Sequence, residues 1–410
     1  MAEVIPFKGI LYNTSAVRPQ DVVAPPYDII TPELREELYG RSPYNIVRID
    51  AGKELEGNGL RKNKYTRAAL YLRDWLKQGI LLRGDRPCFY AYEADYALKG
   101  QRKRLLGFFG LVRLEELGRG VYPHERTHRR AREDRLSLLK ACKANTSPIF
   151  SLYNSPKKKA SAVLEAAGGR SPYMEASDSD GAFHRLWLID EPASIRAITE
   201  DLKDRPIFIA DGHHRYETAL EFKKTVGDES ANYVLMFLAN IADGGLTILP
   251  THRLVNADGE ILKKLGGHFR IEKLSPGADM PSAIEGRKNT FGLCLKGGTA
   301  PCDIGGRYAL EYSGGGLPEA HPALRGLDVV ILHELVLKGL LGVEDVSYEM
   351  DGRKAVSLVE GGVYTACFFL NPTGVRDVEA VALSSERMPP KSTYFYPKLL
   401  TGFVINSLTG

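Results

Sequence analysis

No apolar run in this sequence approaches the ~20 residues that a bilayer-spanning helix needs, and no basic segment followed by an apolar stretch opens the chain. Neither a membrane anchor nor a secretory leader is expected, and the chain is placed in the cytoplasm. Cysteine is scarce: Cys88, Cys142, Cys294, Cys302 and Cys367 are scattered through 410 residues with no CxxC pair. A disulfide framework and a cysteine zinc site are therefore not implied, and buried thiols in a reducing compartment account for all five. Net charge is slight, since 55 Lys and Arg against 51 Asp and Glu leave +4. That balance argues against nucleic acid unless basic residues cluster locally. GxSxG and GxGxxG are also missing, which removes the hydrolase elbow and the dinucleotide fingerprint. No fixed-period repeat or long low-complexity tract occurs.

What is present is ordinary globular material, 43% hydrophobic and 26% charged. A chain this long divides into about two or three domains, drawn here as 1–120, 121–255 and 256–410. Periodicity and glycine stops predict helices over Arg67–Leu76, Glu133–Lys143, Leu327–Leu341 and Val375–Leu383. In the second of these, acids open the first turn and Lys140 and Lys143 close it, as the helix dipole prefers. Strands are expected at Cys88–Tyr92, at Leu105–Val112 (broken by Gly107 and Gly110), and at Pro148–Tyr153, Phe183–Ile189, Pro206–Ala210, Tyr233–Ala239 and Tyr364–Leu370. Gly297–Gly306 and Gly314–Gly316 read as connections. Strands interleaved with helices predict an α+β fold of mixed α/β layers.

The densest chemical signal is RPIFIADGHHRYETALEF, Arg205–Phe222. An apolar strand ends at Ala210, Asp211-Gly212 turns the chain, and a helix starts near His213. Gly212 accepts unusual backbone angles and lets a ligand approach the main chain. A helix start offers free N–H groups and partial positive charge, which suit phosphate or carboxylate. His213, His214 and Arg215 at that end oppose the helix dipole unless an anion meets them, and arginine can grip phosphate with two bonds. A turn whose histidines merely satisfy nearby carbonyls is the plainer alternative.

Tyr122–Arg132, YPHERTHRRAR, is the most basic stretch, with Arg126, Arg129, Arg130 and Arg132. Its single acid, Glu125, should stay ionised among these cations, as a general base drawing a proton from a hydroxyl requires. An exposed charged loop is the bland reading. His124-Glu125-Arg126-Thr127-His128 matches HExxH, but that motif grips zinc only from a helix. Pro123 before it, and Glu133-Asp134 as the expected helix start, argue against one. Near the C-terminus, Met388–Leu400 reads MPPKSTYFYPKLL. Pro389-Pro390 blocks a helix and displays Lys391, Ser392 and Thr393 as phosphate contacts, although the glycines of a Walker loop are missing; a protected edge strand is equally compatible. The Pro25-Pro26 turn carries Tyr27 and Asp28 as candidate substrate contacts. Asp178, Asp180 and Gly181 mimic the start of a calcium loop but lack its glutamate, so a turn is expected.

Seven segments together resemble the DUF1015 family: VAPPYDII (Val23–Ile30), SPYNIVRID (Ser42–Asp50), HERT (His124–Thr127), EDRLSLLKACKANTSPIF (Glu133–Phe150), IADGHHRYETAL (Ile209–Leu220), LNPT (Leu370–Thr373) and MPPKSTYFYPKLL. They follow the family's order over nearly the whole chain. His128 departs from it, standing where an apolar residue is expected, and thereby creates the HExxH string. The resemblance implies a ParB/sulfiredoxin-like core with additional α/β elaboration. Proteins of that kind include ADP- or ATP-dependent free-serine kinases and CTP-binding partition proteins, in which a box similar to DGHHR grips phosphate. It further implies ADP or ATP with Mg²⁺ as cofactors, serine or phosphoserine as substrate, and a role in serine biosynthesis; kinase and phosphatase directions both stay open. On that basis Glu125, His124 and Asp211 are the candidate catalytic set. Gly212, His213, His214, Arg215, Arg126, Thr127, Lys391, Ser392 and Thr393 would contact phosphate, Tyr27 and Asp28 the substrate, and no metal ligands are assigned. A non-catalytic nucleotide-binding switch or DNA-associated protein is the alternative, and a zinc hydrolase a third. Homo-oligomerisation is left open.

Overall fold

The computed structural model describes residues 3–409 apart from 56, 58, 60, 61, 126–128, 258, 259, 298–304, 315, 316 and 318. The chain is α+β and forms two compact units. The first comprises Met1–Pro123, Thr127–Thr247 and Pro397–Gly410; the second comprises His124–Arg126 and Ile248–Tyr396.

The first unit is built on a sheet of β1 (Val4–Ile5), β2 (Phe89–Leu98), β3 (Gln101–Arg113), β4 (Val121–Tyr122), β5 (Ile149–Tyr153), β6 (Met174–Ser177), β7 (Phe183–Ile189), β8 (Ile207–Asp211) and β9 (Tyr233–Asn240). The spatial order is β4-β8-β5-β9-β3-β2-β7-β6, with β1 also on β3. Pairing is antiparallel except where β8 meets β4 and β9 meets β5. β3 is not broken at Gly107 and Gly110, contrary to expectation. A Cβ on Gly107 would lie 2.3 Å from the Phe237 ring and 2.6 Å from the Leu238 carbonyl, and one on Gly110 would lie 3.0 Å from Phe89. These glycines make room for rings within a continuous strand; they do not turn the chain. Asp178 does form a turn, the one joining β6 to β7, where its Oδ1 accepts from the amides of Asp180 (2.9 Å) and Ala182 (2.8 Å).

Helices cover this sheet. Tyr216 and Ala219 of the His213–Thr225 helix share a buried cluster with Ile207 and Ile209 of β8, each large apolar chain contributing about 1.5–3 kcal/mol by leaving water. The helix expected from Glu133 begins a turn earlier, at Arg129, and ends at Cys142. Its first turn therefore holds no acid. Arginine and alanine favour helix, and Glu133 pairs back to Arg129 at 2.8 Å, extending the helix towards its N-terminus. Lys143 lies beyond the end, at φ 46°.

The second unit contains β10 (His252–Val255), β11 (Phe269–Lys273), β12 (Thr290–Leu295), β13 (Gly306–Tyr312), β14 (Ser347–Glu349) and β15 (Ala366–Phe369). They form one antiparallel sheet in the order β11-β13-β12-β15-β10-β14. Alternate residues of β15 face opposite sides. Ala366 and Phe368 meet Ile331, Leu332, Val336 and Leu337, while Cys367 and Phe369 meet Ala355, Val356 and Val359 of the Gly352–Glu360 helix. The helix expected over Leu327–Leu341 starts as a single α-turn, Asp328–Val330, and continues as a π-helix, Ile331–Leu341. The Val375–Leu383 helix has the bounds expected. Cys302 lies outside the described residues, as does most of the Gly297–Gly306 connection. No helix among the described residues is long and apolar enough to cross a membrane.

Candidate functional site

Each unit carries one cluster built from the motifs. In the first, β8 delivers Asp211 to the sheet end, and Gly212 turns the chain in the left-handed region (φ 96°, ψ 26°) before the helix begins at His213. Gly212 has no side chain to cap that helix. The guanidinium of Arg215 lies against the open face of Gly212, so that a Cβ there would sit 2.8 Å from Nε and 2.9 Å from Nη2. Arg215 donates to the Pro148 carbonyl, and its Nη2 is 3.9 Å from Asp211 Oδ1. Lys398 reaches Asp211 Oδ2 at 2.9 Å. One carboxylate thus stands between an ammonium and a guanidinium beside a helix start. His213 is buried, and His214 and Arg215 are half-buried.

Tyr27 stands close by, half-buried in the 3₁₀ turn that follows Pro26, with Asp28 exposed beside it. The Arg135 guanidinium lies 3.9 Å from the centre of the Tyr27 ring, a cation–π contact. Burial raises the Tyr27 hydroxyl to about 12, against the opposing pull of Arg135 and Arg215. Arg135 is itself buried and bonds Asp50 Oδ1 at 3.3 Å and Asp134 Oδ2 at 2.6 Å, while Thr146 donates to Asp50 Oδ1 at 2.7 Å. Burial would raise the Asp134 carboxyl, but Arg135 and Lys64 outweigh it and hold it down at about 2. A cavity of about 40 Å³ separates the two arginines, lined also by Asn145, Thr146, Ser147 and Thr218. Sequence reasoning misses Asp50, Asp134, Arg135, Thr146 and Lys398 as individual residues, although all lie in the quoted motif segments. A charged residue on the apolar side of a helix, as Arg135 is, was the available signal.

In the second unit, Glu125 forms a parallel bridge with Met388, and the Met388 amide donates to the His124 carbonyl at 2.8 Å. Glu125 Oε1 accepts the Lys391 amide at 2.9 Å. The buried His124 ring has Nε2 2.9 Å from Thr393 Oγ1 and packs edge-on to Phe395. His124-Glu125 and Lys391–Thr393, far apart in sequence, are therefore brought together. Lys391 is exposed with a left-handed backbone, φ 56°. Ser392 and Thr393 are buried, which corrects the expectation that they are displayed. Their hydroxyls turn inward, Ser392 donating to the Pro389 carbonyl at 2.6 Å and Thr393 meeting His124. Thr373 of LNPT donates to the Ser392 carbonyl at 3.0 Å. His124 and Glu125 precede the Arg129–Cys142 helix, so the HExxH string has no helix at its start. Arg126, Thr127 and His128 lie outside the described residues. Among the described residues no group of three or more His, Cys, Asp or Glu is arranged to hold a metal ion.

These observations define the class as an α+β protein of two sheet-based units, one of which sets cations about a helix start. The chain belongs to the DUF1015 family of proteins of unknown function, whose profile matches residues 4–330. No curated protein sequence matches it. Among solved structures it is similar to a free serine kinase mutant in complex with ADP, at 13% identity and TM-score 0.39, covering 73% of this chain and 91% of that one. A conserved hypothetical protein from Pyrococcus furiosus is similar at 14% identity and TM-score 0.39, with 73% and 95% covered. C-terminally truncated SbnI from Staphylococcus aureus is similar at 14% and 0.35, with 72% and 85% covered.

Proposed function

We propose that this protein is a nucleotide-dependent phosphotransferase acting between ADP or ATP and serine or phosphoserine, in serine metabolism, on a ParB/sulfiredoxin-like core. The observation that carries the reading is the Asp211–Arg215 turn. Left-handed Gly212 leaves the helix start uncapped by a side chain, and Arg215 and Lys398 add positive charge beside it. Such an arrangement binds phosphate. In this assignment Gly212, His213, His214 and Arg215 hold the nucleotide phosphates and Asp211 orients Lys398 and Arg215. Tyr27 and Asp28 contact the amino-acid substrate. Glu125 takes the proton from the serine hydroxyl, whose oxygen attacks the terminal phosphorus of ATP while ADP leaves; the reverse reaction passes phosphate from phosphoserine to ADP. Lys391 and Arg126 neutralise charge on the transferred group. His124, held beside Thr393, serves with Glu125 in the catalytic set, and Thr127 contacts phosphate.

Asp211 is already paired with Lys398, and among the described residues no group of acids and histidines forms a cage for a resident Mg²⁺. Magnesium would arrive on the nucleotide phosphates, whose charge it neutralises.

The test incubates pure protein with phosphoserine and Mg²⁺, with and without ADP, and follows serine, ATP and free phosphate. ATP formed in step with serine supports the reading. Phosphate released without ADP makes the protein a phosphatase, and nucleotide binding without turnover makes it a switch. Glu125→Gln keeps an acceptor for the Lys391 amide, so turnover should vanish with ADP affinity nearly intact; equal loss of both would remove Glu125 from the base role.

A further inference from the structure

Among the described residues, the bulkiest fully buried side chain is a charged one, Arg253, 1% exposed in β10. Among the described residues its hydrogen bonds go to neutral acceptors. Nε donates to His333 Nε2 at 3.1 Å, Nη1 to the Thr251 carbonyl, and Nη2 to the Lys391 carbonyl at 3.0 Å. His333 is neutral at physiological pH, because burial and Arg253 press it down to about 3. Burial lowers Arg253 to about 10 against the opposing pull of Tyr348 and the Glu125 carboxylate, which makes no hydrogen bond to it, and still leaves it charged at neutral pH. Burying a cation without a bonded carboxylate lowers stability, and an apolar chain of similar length would fill the same space at less cost. Stability alone therefore does not account for an arginine here.

The Lys391 peptides do. A lysine in the left-handed region is disfavoured, yet both peptide groups of this residue are clamped. Its N–H goes to Glu125 Oε1 and its C=O to Arg253 Nη2. The next carbonyl, of Ser392, is taken by Thr373. Clamping the main chain on both sides fixes the direction in which the exposed Lys391 side chain leaves the loop, and it joins the Glu125 carboxylate to the same frame. The ring of Tyr348, opposite Arg253 on β14, covers the guanidinium at 5.4 Å.

We propose that Arg253 is a positioning residue: through the Lys391 carbonyl it holds the lysine loop, and with it Glu125, in the geometry that phosphoryl transfer uses. The inference rests on the proposed activity for its kinetic part only. The experiment compares full-length wild type with Arg253→Met, which removes the charge and keeps the length, and Arg253→Lys, which keeps the charge and loses the planar fork. Amide exchange over residues 388–396, the rate of Lys391 amine labelling, and kcat and KM for phosphoserine and ADP are read in each. In R253M the Lys391 amide should exchange about tenfold faster, as loss of one hydrogen bond implies, while β12 and β15 stay protected. The Lys391 amine should label at a changed rate, and kcat should fall about 100-fold with KM for ADP within about twofold, as misplacement of a reacting group predicts. R253K should not restore kcat. Unchanged exchange in both variants, or unchanged kcat with loosened exchange, overturns the proposal. Should R253M fail to fold, R253K gives the same readouts. If the wild type turns over neither substrate, the activity reading falls, and exchange and labelling still decide whether Arg253 holds the loop.

Discussion

Gly212→Ala tests the phosphate turn from within its own geometry. Two effects add. Alanine at φ 96° is strained, at roughly 1–2 kcal/mol for a non-glycine residue in the left-handed region. The new methyl also meets Arg215 at 2.8 Å from Nε and 3.0 Å from Cζ, so the guanidinium must swing away from the Pro148 carbonyl and Asp211. Hydrogen bonds to a charged group are worth about 1.5–3 kcal/mol, which brings the expected loss of stability to roughly 3–5 kcal/mol. Gly181→Ala is the control: Gly181 has φ 81°, a methyl there would meet nothing within 4 Å, and the variant bears the backbone strain alone. Urea unfolding should place G212A below G181A by about 2 kcal/mol, the share assigned to the guanidinium. Calorimetric titration with ADP should show G181A binding like wild type and G212A about tenfold to 100-fold weaker, each tenfold being 1.4 kcal/mol. Equal midpoints for the two variants, with ADP affinity intact in G212A, would refute the assignment of this turn to phosphate.

Asp50→Ala strips Arg135 of a buried partner and leaves Thr146 without its acceptor; a loss of about 3 kcal/mol is expected, read as a lower urea midpoint with an unchanged slope. Gly107→Ala pushes a methyl into the Phe237 ring and should cost at least about 2 kcal/mol, whereas Gly227→Ala, which like Gly107 has no left-handed φ but has open space around it, serves as the comparison without a clash. Burial raises the Asp328 carboxyl to about 6, above its unfolded value. The folded state therefore holds that proton more tightly, and the associated stability is present below about pH 4 and lost as pH rises through about 6. Asp328→Asn should be more stable than wild type at pH 7 and equal to it at pH 4, by thermal unfolding at the two values.

Much of the α+β architecture is legible in the sequence because local pattern and tertiary role coincide. Phe183–Ile189 and Val375–Leu383 match their expected bounds, since Gly181 and Gly374 precede them and Pro192 and the Ser384-Ser385 turn follow. Gly107 misleads because its reason is non-local: a ring from β9 fills the space a side chain would take. The start of the Arg129–Cys142 helix is hard to place because acids ordinarily open a helix, whereas Glu133 pairs backwards with Arg129. The motif residues stand out in the sequence, but their supports do not. Asp50 meets Arg135 across 85 positions, and Arg253 meets Lys391 across 138; no window of periodicity spans such distances. An arginine followed directly by Leu254 and Val255 in THRLV is a visible hint of the latter.

The first unit is assembled from segments that lie on either side of Ile248–Tyr396 in the sequence. Ile10 bonds Ile405 in both directions, Asn406 pairs with Asn145, and Lys398 returns to Asp211. During synthesis, which releases a chain from its N-terminus, this unit must wait for its last strand pairings and closes late, as contacts of such long sequence separation are slow to form. The second unit has nearly all its residues, Ile248–Tyr396, in one stretch and can order while the first is still open. A ribosome stalled after Tyr396 would hold a chain with the whole DGHHR sequence but without the lysine that pairs with Asp211.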